Sequence, residues 1–304
     1  GNQLSILSDN LFEGLTMLTC LKLQKNLLVT LPDGLFHDVQ NLAFLDLYSN
    51  KLTKLPSVIF FRLQNIEELD LSRNQLSILG DDVFKGLIML QRLNLRNNNL
   101  TTLSLICWGL QNLHVLYLTR NKLALLSNSS FDGLTMLLYL DLQANMLETL
   151  PYGLFDSSPY IGYLDLNTNR LKSLSVRIFS GLHYLQYLDL SRNILGELSN
   201  NLVGLEMLRY IDLSSNELLA LPLRLFMEVA NLEALYIHDN KLSNLNAYQF
   251  ESLGQLSDLQ LNLNKLVTLP VGLLWDLKNL GQLILSNNQL RSLNFNDFQG
   301  LESL

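Results

Sequence analysis

The sequence predicts a solenoid of the α/β class: a right-handed horseshoe of short stacked coils. A parallel sheet is expected on its concave side, with mostly irregular or 3₁₀ backbone on its convex side. Three observations predict it. More than a quarter of the 304 residues are leucine. Asparagine recurs at positions 2, 26, 50, 74, 98, 121, 145, 169, 193, 216, 240, 264 and 288, in steps of 24 residues with two of 23. Around it the spacing Leu-x-x-Leu-x-Leu-x-x-Asn-x-Leu repeats, as in Leu42, Leu45, Leu47, Asn50 and Leu52. A fixed period of about 20–50 residues marks an array whose units cannot bury their apolar faces alone and must stack.

Each element follows from its place in the period. The x-Leu-x-Leu-x segment ahead of each Asn alternates with period two, so its leucines point inward and the intervening residues outward. Where this strand ends, the Asn is expected to turn in and satisfy backbone groups of the neighbouring coil, because an unpaired buried amide costs about 1–3 kcal/mol. Five of the six prolines (Pro32, Pro56, Pro151, Pro222, Pro270) fall six residues after the Asn. Phenylalanine falls ten residues after it in ten copies, from Phe12 to Phe298. These rings are expected to fill the far half of the core, each contributing on the order of 1.5–3 kcal/mol. Three copies depart from the pattern: Trp108 takes the Phe slot in one, Leu202 or Val203 in another, and Leu274 followed by Trp275 in a third. Local changes of curvature are expected at the first two, without a domain boundary.

These repeats resemble the leucine-rich repeat family along the whole chain. The 24-residue spacing, with Leu-Pro and a later Phe, is similar to the extracellular "typical" class. Toll-like receptors, leucine-rich-repeat hormone receptors, small leucine-rich proteoglycans and jawless-fish lymphocyte receptors carry that class. The resemblance implies one leucine-rich-repeat solenoid over residues 1–304, of about 12–13 repeats. Both ends fall in mid-repeat, without the cysteine-rich caps of the extracellular class. The expectation is therefore a segment of a longer protein, with any signal peptide, membrane helix or signalling domain outside it.

With the leucines facing in, the outward strand slots can be read in columns. The slot before the middle leucine holds Tyr139, Tyr163, Tyr187 and Tyr210 in consecutive repeats. The slot after it holds Asp141, Asp165, Asp189 and Asp212, bracketed by Tyr117 and Tyr236. At a strand spacing of about 4.8 Å the tyrosines would make a stripe roughly 15 Å long. Two plainer readings compete with a binding role. Tyrosine favours strands and stabilises its cross-strand neighbours, and Asp between the inner leucines is a common filler on the solvated face. Yet contiguous exposed aromatic surface marks interaction sites, and tyrosine is enriched at interfaces. These ten residues are the candidate ligand-binding set, and the acidic column favours a partner presenting Arg or Lys.

Other chemistry finds little support. A net charge of −7 argues against a nucleic-acid partner, which requires a basic face. No apolar run approaches the length of a membrane span, so no direct membrane contact is expected from this segment. His37, His114, His183 and His238 pair with no second ligand at metal spacing, and no nucleophile, phosphate-loop or zinc motif occurs. No metal, cofactor or catalytic residue is assigned, and the chain is not expected to be an enzyme. Cys20 and Cys107 are too far apart for a mutual disulfide. Sequons at Asn99 and Asn128 are candidate glycosylation sites, Asn128 the better placed.

The expected function is a recognition ectodomain of a cell-surface receptor, binding a protein or peptide on its concave sheet, with a homodimer possible. A hormone-type receptor coupled to G proteins is the sharpest version and a Toll-like innate receptor the next. The rival class is a secreted matrix or adhesion protein. The expected location is the extracellular side of the plasma membrane, or outside the cell altogether.

Overall fold

The computed structural model describes residues 1–103, 107 and 109–304. Trp108, with the altered slot it occupies, lies outside the described residues. Twelve strands of three residues carry the fold: β1 (Cys20–Lys22), β2 (Phe44–Asp46), β3 (Glu68–Asp70), β4 (Arg92–Asn94), β5 (Val115–Tyr117), β6 (Tyr139–Asp141), β7 (Tyr163–Asp165), β8 (Tyr187–Asp189), β9 (Tyr210–Asp212), β10 (Ala234–Tyr236), β11 (Asp258–Gln260) and β12 (Gln282–Ile284). They begin at the slot the repeat pattern assigns them. The chain forms two compact units, the first of Gly1–Leu147 and Gly153–Tyr160, the second of Glu148–Tyr152 and Ile161–Leu304. Strands β1–β6 lie in the first unit and β7–β12 in the second.

Within each unit the strands pair in parallel, in sequence order and in register. Leu21 sits opposite Leu45 in the first unit, and Leu235 opposite Leu259 in the second. Between strands the chain returns through turns closed by short backbone bonds, such as Phe61 N–H to Val58 O at 3.0 Å and Leu63 N–H to Phe60 O at 2.9 Å. One 3₁₀ helix spans Phe295–Phe298, and no α-helix occurs among the described residues. This is the solenoid the sequence predicts, its helical side reduced to turns.

Three-residue strands hold because pairing continues past them. Leu23 N–H donates to Asp46 O and Lys25 N–H to Tyr48 O, both at 2.8 Å. The backbone then reverses at the residue before each ladder Asn. From Lys25 to Asn287 these twelve residues have φ between 51° and 56°, and none is glycine. Left-handed backbone costs an L-residue roughly 1–2 kcal/mol, so each reversal needs compensation from its surroundings.

The following asparagine supplies it. Asn74 Nδ2 donates to Leu71 O of its own coil (3.0 Å) and to Leu47 O of the preceding coil (3.1 Å). Its Oδ1 accepts the Leu52 N–H at 3.0 Å. Asn98, Asn145 and Asn240 repeat the arrangement. From Asn26 to Asn264 these side chains are buried, so each bridge works in a water-poor setting.

A second asparagine column, not foreseen from the repeat pattern, lies three residues ahead of five strands. Asn41 Nδ2 donates to Thr16 O (2.9 Å), Asn65 to Gln40 O (3.1 Å), Asn112 to Ile88 O (2.7 Å), Asn231 to Glu206 O (2.8 Å) and Asn279 to Gly254 O (2.8 Å). It ties each coil's entry to the strand back to the coil before.

The core has the two predicted halves. Inward leucines are nearly all fully buried. Phenylalanine rings stack coil on coil: Phe12 to Phe36 at 6.4 Å, Phe36 to Phe60 at 6.0 Å, Phe60 to Phe84 at 6.2 Å and Phe131 to Phe155 at 6.1 Å. In the two described copies without Phe, buried Leu202 and Leu274 take the slot. Of the two residues left open in the shorter copy, it is Leu202 that turns in, while Val203 stays half-exposed. Replacing Asn145 by Ala would leave one amide and three carbonyls without the bridge, so Asn145→Ala should cost about 1–3 kcal/mol. The urea midpoint measures this, and an unchanged midpoint would remove the ladder's structural role.

A tyrosine and carboxylate strand face

Alternation along each strand sends the middle residue into the core and the two flanking residues out. The middle leucines or isoleucine of β2–β11 are buried while their neighbours are mostly half-exposed. The ten candidate residues therefore stand on the strand face, six on a strand of the second unit with Tyr236 as a seventh, and three in the first.

In the second unit Tyr163, Tyr187 and Tyr210 form a column of parallel rings. Centroids are 4.2 Å apart for Tyr163–Tyr187 and 4.3 Å for Tyr187–Tyr210, with interplanar angles of 6° and 4°. The column ends at Ala234 of β10. There Tyr236 meets Tyr210 edge-on, at 5.3 Å and 88°. The Tyr236 hydroxyl donates to Asp258 Oδ2 at 2.8 Å. Stacking spends the ring faces on one another, so the column offers its edges to solvent, and the Tyr210 hydroxyl donates to Asp212 Oδ2 at 3.4 Å. Each ring is half-buried.

The acidic column lies deeper than the sequence suggests. Asp141, Asp165 and Asp189 are buried, between 3% and 7% exposed, and only Asp212 is half-exposed. The expectation of an outward-facing anionic strip is corrected accordingly. The cause is local: one carboxylate oxygen locks the strand's exit by accepting the amide two residues on. Ser191 N–H donates to Asp189 Oδ1 (2.8 Å), Ser214 N–H to Asp212 Oδ1 (2.8 Å) and Asn167 N–H to Asp165 Oδ1 (2.9 Å). This is the Asx-turn chemistry for which Asp suits strand ends. The second oxygen accepts from other side chains: that of Asp189 from Asn167 Nδ2 (3.0 Å) and that of Asp212 from the Tyr210 hydroxyl (3.4 Å).

In the first unit that oxygen is taken by an arginine. Arg96 Nη2 lies 2.6 Å from Asp141 Oδ2, its Nε donates to Thr119 Oγ1 at 3.2 Å, and its guanidinium carbon sits 3.9 Å from the Tyr117 ring centre. Tyr139 packs edge-on against Tyr117 at 5.2 Å. Asp141 is thus neutralised from within, which its sequence position does not reveal.

Burial and neighbouring carboxylates set the electrostatics of the second unit. Burial raises the Asp212 carboxyl above the usual carboxylate value; hydrogen bonds from Ser214 oppose the rise and nearby Asp189 adds to it. Burial, then the adjacent aspartates, push the Tyr187 and Tyr210 phenols well above the ordinary tyrosine range. Burial and the bond to Asp258 push Tyr236 to about 12.

The remaining candidates stand apart from this face. Asn128 is exposed, but the Ser130 hydroxyl of its sequon is buried, bonding the Ser127 N–H and Leu103 O. Asn99 is half-exposed. Cys20 is exposed on β1, whereas burial pushes the Cys107 thiol up to about 12. Among the described residues no three His, Cys, Asp or Glu side chains gather to hold a metal, and no helix is long and apolar enough to cross a membrane.

Comparison with known proteins settles the family. The leucine rich repeat family model matches residues 16–76, 40–100, 65–123, 111–167, 159–218, 208–266 and 230–290. The chain belongs to the leucine-rich repeat family. Among solved structures, a leucine-rich repeat protein of Leptospira interrogans is 33% identical, with a TM-score of 0.80, over 90% of this chain and 67% of that one. A chain of the Drosophila Toll–Spatzle complex is 28% identical, with a TM-score of 0.85, over 94% of this chain but 38% of that one. TLR13, solved as a TLR13–ssRNA13 complex, is 28% identical, with a TM-score of 0.72, over 99% of this chain and 44% of its own. No curated protein matches the chain. The leucine-rich repeats, with these neighbours, support a protein-binding repeat domain.

Two outcomes follow from the electrostatics. A phenol whose folded pKa is raised favours its protonated form in the folded state, so its stabilisation is complete below about pH 10 and is lost as pH rises further. Absorbance at alkaline pH should show Tyr236 ionising near 12, with stability falling across that window; ionisation of all eleven tyrosines at the ordinary value would contradict the buried setting. Separately, Arg96→Ala leaves buried Asp141 without its cation and should cost about 1–3 kcal/mol in chemical denaturation. Asp141→Asn in the same background should recover part of that loss.

Proposed function

We propose that the chain is the ligand-recognition part of a cell-surface receptor ectodomain, and that it binds a protein or peptide on its strand face. The observation that carries this reading is the Tyr163–Tyr187–Tyr210 column, three aligned phenols beside carboxylates on an open face. Tyrosines held by stacking lose little conformational freedom on binding, and each offers a hydroxyl and a rigid apolar edge. The Toll likeness supports the class, because that structure is of a complex with Spatzle. TLR13 is named in a complex with RNA. Here a net charge of −7 and the aspartates of the strand face repel phosphate, which favours a protein partner over a nucleic acid. The proposed location is extracellular, with exposed Asn128 the better glycosylation acceptor.

The test is a binding screen of the purified chain against secreted basic proteins and peptides. For any ligand found, Tyr163→Ala/Tyr187→Ala should weaken affinity by at least roughly tenfold, the loss of one modest hot spot. Tyr248→Ala, at an exposed return-segment residue, should leave it unchanged. Binding that survives the strand-face change and fails in Tyr248→Ala would place the site on the other side of the coil.

A further inference from the structure

The first unit shows what a tyrosine and a carboxylate on this scaffold hold when a guanidinium reaches them. Arg96 lies flat on Tyr117 and ends on Asp141. The tyrosine recurs in the second unit, but the groups around it differ. Tyr236 of β10 stands where Tyr117 stands in β5, each four residues before its ladder Asn. The place of Arg96, two residues before the ladder Asn of the preceding coil, belongs to Ser214, which is too short to reach a ring. The carboxylates are moved: Gln260 stands in the place of Asp141, while Asp212 replaces Asn94 in the preceding strand and Asp258 replaces Tyr139 in the following one.

We propose that the second unit's strand face takes an arginine side chain of its protein partner, the guanidinium seated on the Tyr236 ring between Asp212 and Asp258. This rests on the reading of the strand face as a protein-binding surface and names the side chain it selects. The charge balance argues for it. Asp189 is held by Ser191 N–H and Asn167 Nδ2, Asp212 by Ser214 N–H and the Tyr210 hydroxyl, and Asp258 by the Tyr236 hydroxyl and Gln260, all neutral donors. Of the cations in this unit, Arg209 pairs with Glu233, Lys241 with Glu217 and Lys172 with Glu148. The charge of His238 acts on Asp212 and opposes the rise of its carboxyl. Arginine fits better than lysine, because its planar group stacks on a ring while its fork reaches carboxylates on two sides.

The experiment uses the whole chain with ¹³C-labelled tyrosine. The probe is acetyl-Gly-Arg-Gly-amide, and the control is the citrulline peptide, isosteric and neutral. The Arg peptide should shift the Tyr236 ring resonance saturably, with the citrulline peptide at least roughly tenfold weaker. Ser214→Arg should abolish the response by filling the seat from within, as Arg96 does in the first unit. Should that variant not fold, Arg96→Ser serves instead: it opens the equivalent seat, and the Tyr117 resonance should then answer the same peptide. Equal binding of the two peptides, a silent Tyr236, or an Arg96→Ser protein whose Tyr117 ignores the peptide would overturn the proposal. If the Tyr236 seat fails while Tyr163→Ala/Tyr187→Ala still weakens a protein ligand, only the arginine seat falls. If the seat holds and no protein ligand depends on Tyr163 and Tyr187, the wider reading falls.

Discussion

The amide that bridges coil to coil is the contact on which everything else stands. Each strand must end in a left-handed residue, and the sequence puts Lys, Ser, Arg, Asn, Ala, Thr, Asp or Leu there with no glycine to relieve it. A coil alone would not keep that backbone, because one residue's strain competes with at most a few weak local bonds. The Asn that follows changes the balance by pairing with carbonyls of two coils and an amide of one. Strain inside a coil is therefore offset by contacts between coils. Stability is consequently a property of the stack and grows with neighbours, as expected for a quasi-one-dimensional array.

That bridge also fixes where side chains can act. The strand's exit is so tightly turned that an Asp just ahead of it is drawn down to hold the amide two residues later. The carboxylate serves the fold with one oxygen and keeps the other available. Asp141 gives its second oxygen to Arg96 and is neutral within its unit. Asp189 and Asp212 give theirs to neutral groups, so the negative charge persists at the base of the tyrosine column. One structural motif thus leaves one carboxylate balanced and others charged, according to whether a long cation reaches it.

The repeat pattern made the coil legible, because inward leucines, ladder asparagines and the phenylalanine column are each required once per coil and cannot drift. All twelve strands start at the slot read from the spacing. Depth was not legible. Asp165 and Asp189 occupy an outward slot, and only the Asx bond shows how far down they sit. The Arg96–Asp141 pair spans 45 residues and depends on the path of a long side chain across Tyr117, which no period encodes. The second asparagine column left a readable signal, an Asn three residues before five of the strands, but it occurs in too few copies to stand out beside thirteen. The left-handed residues left none, since their identities vary freely while their φ does not.

The tyrosine column joins these two layers of constraint. Parallel rings at 4.2 and 4.3 Å require strands that neither slip nor splay, and the ladder beneath them supplies that. In exchange the rings cover the carboxylates and keep their field from being screened by water. A loose chain with the same tyrosines and aspartates would have to order them at the moment of binding, losing rotamer freedom for each. Here that ordering is complete before a partner arrives. The same packing restricts what the partner can use. Ring faces within the column are occupied, so a stacking cation must go to its end, where the column stops at Ala234 and Tyr236 turns edge-on. The interruption of the pattern, more than the run of tyrosines itself, is where a specific side chain can be told from a merely positive one.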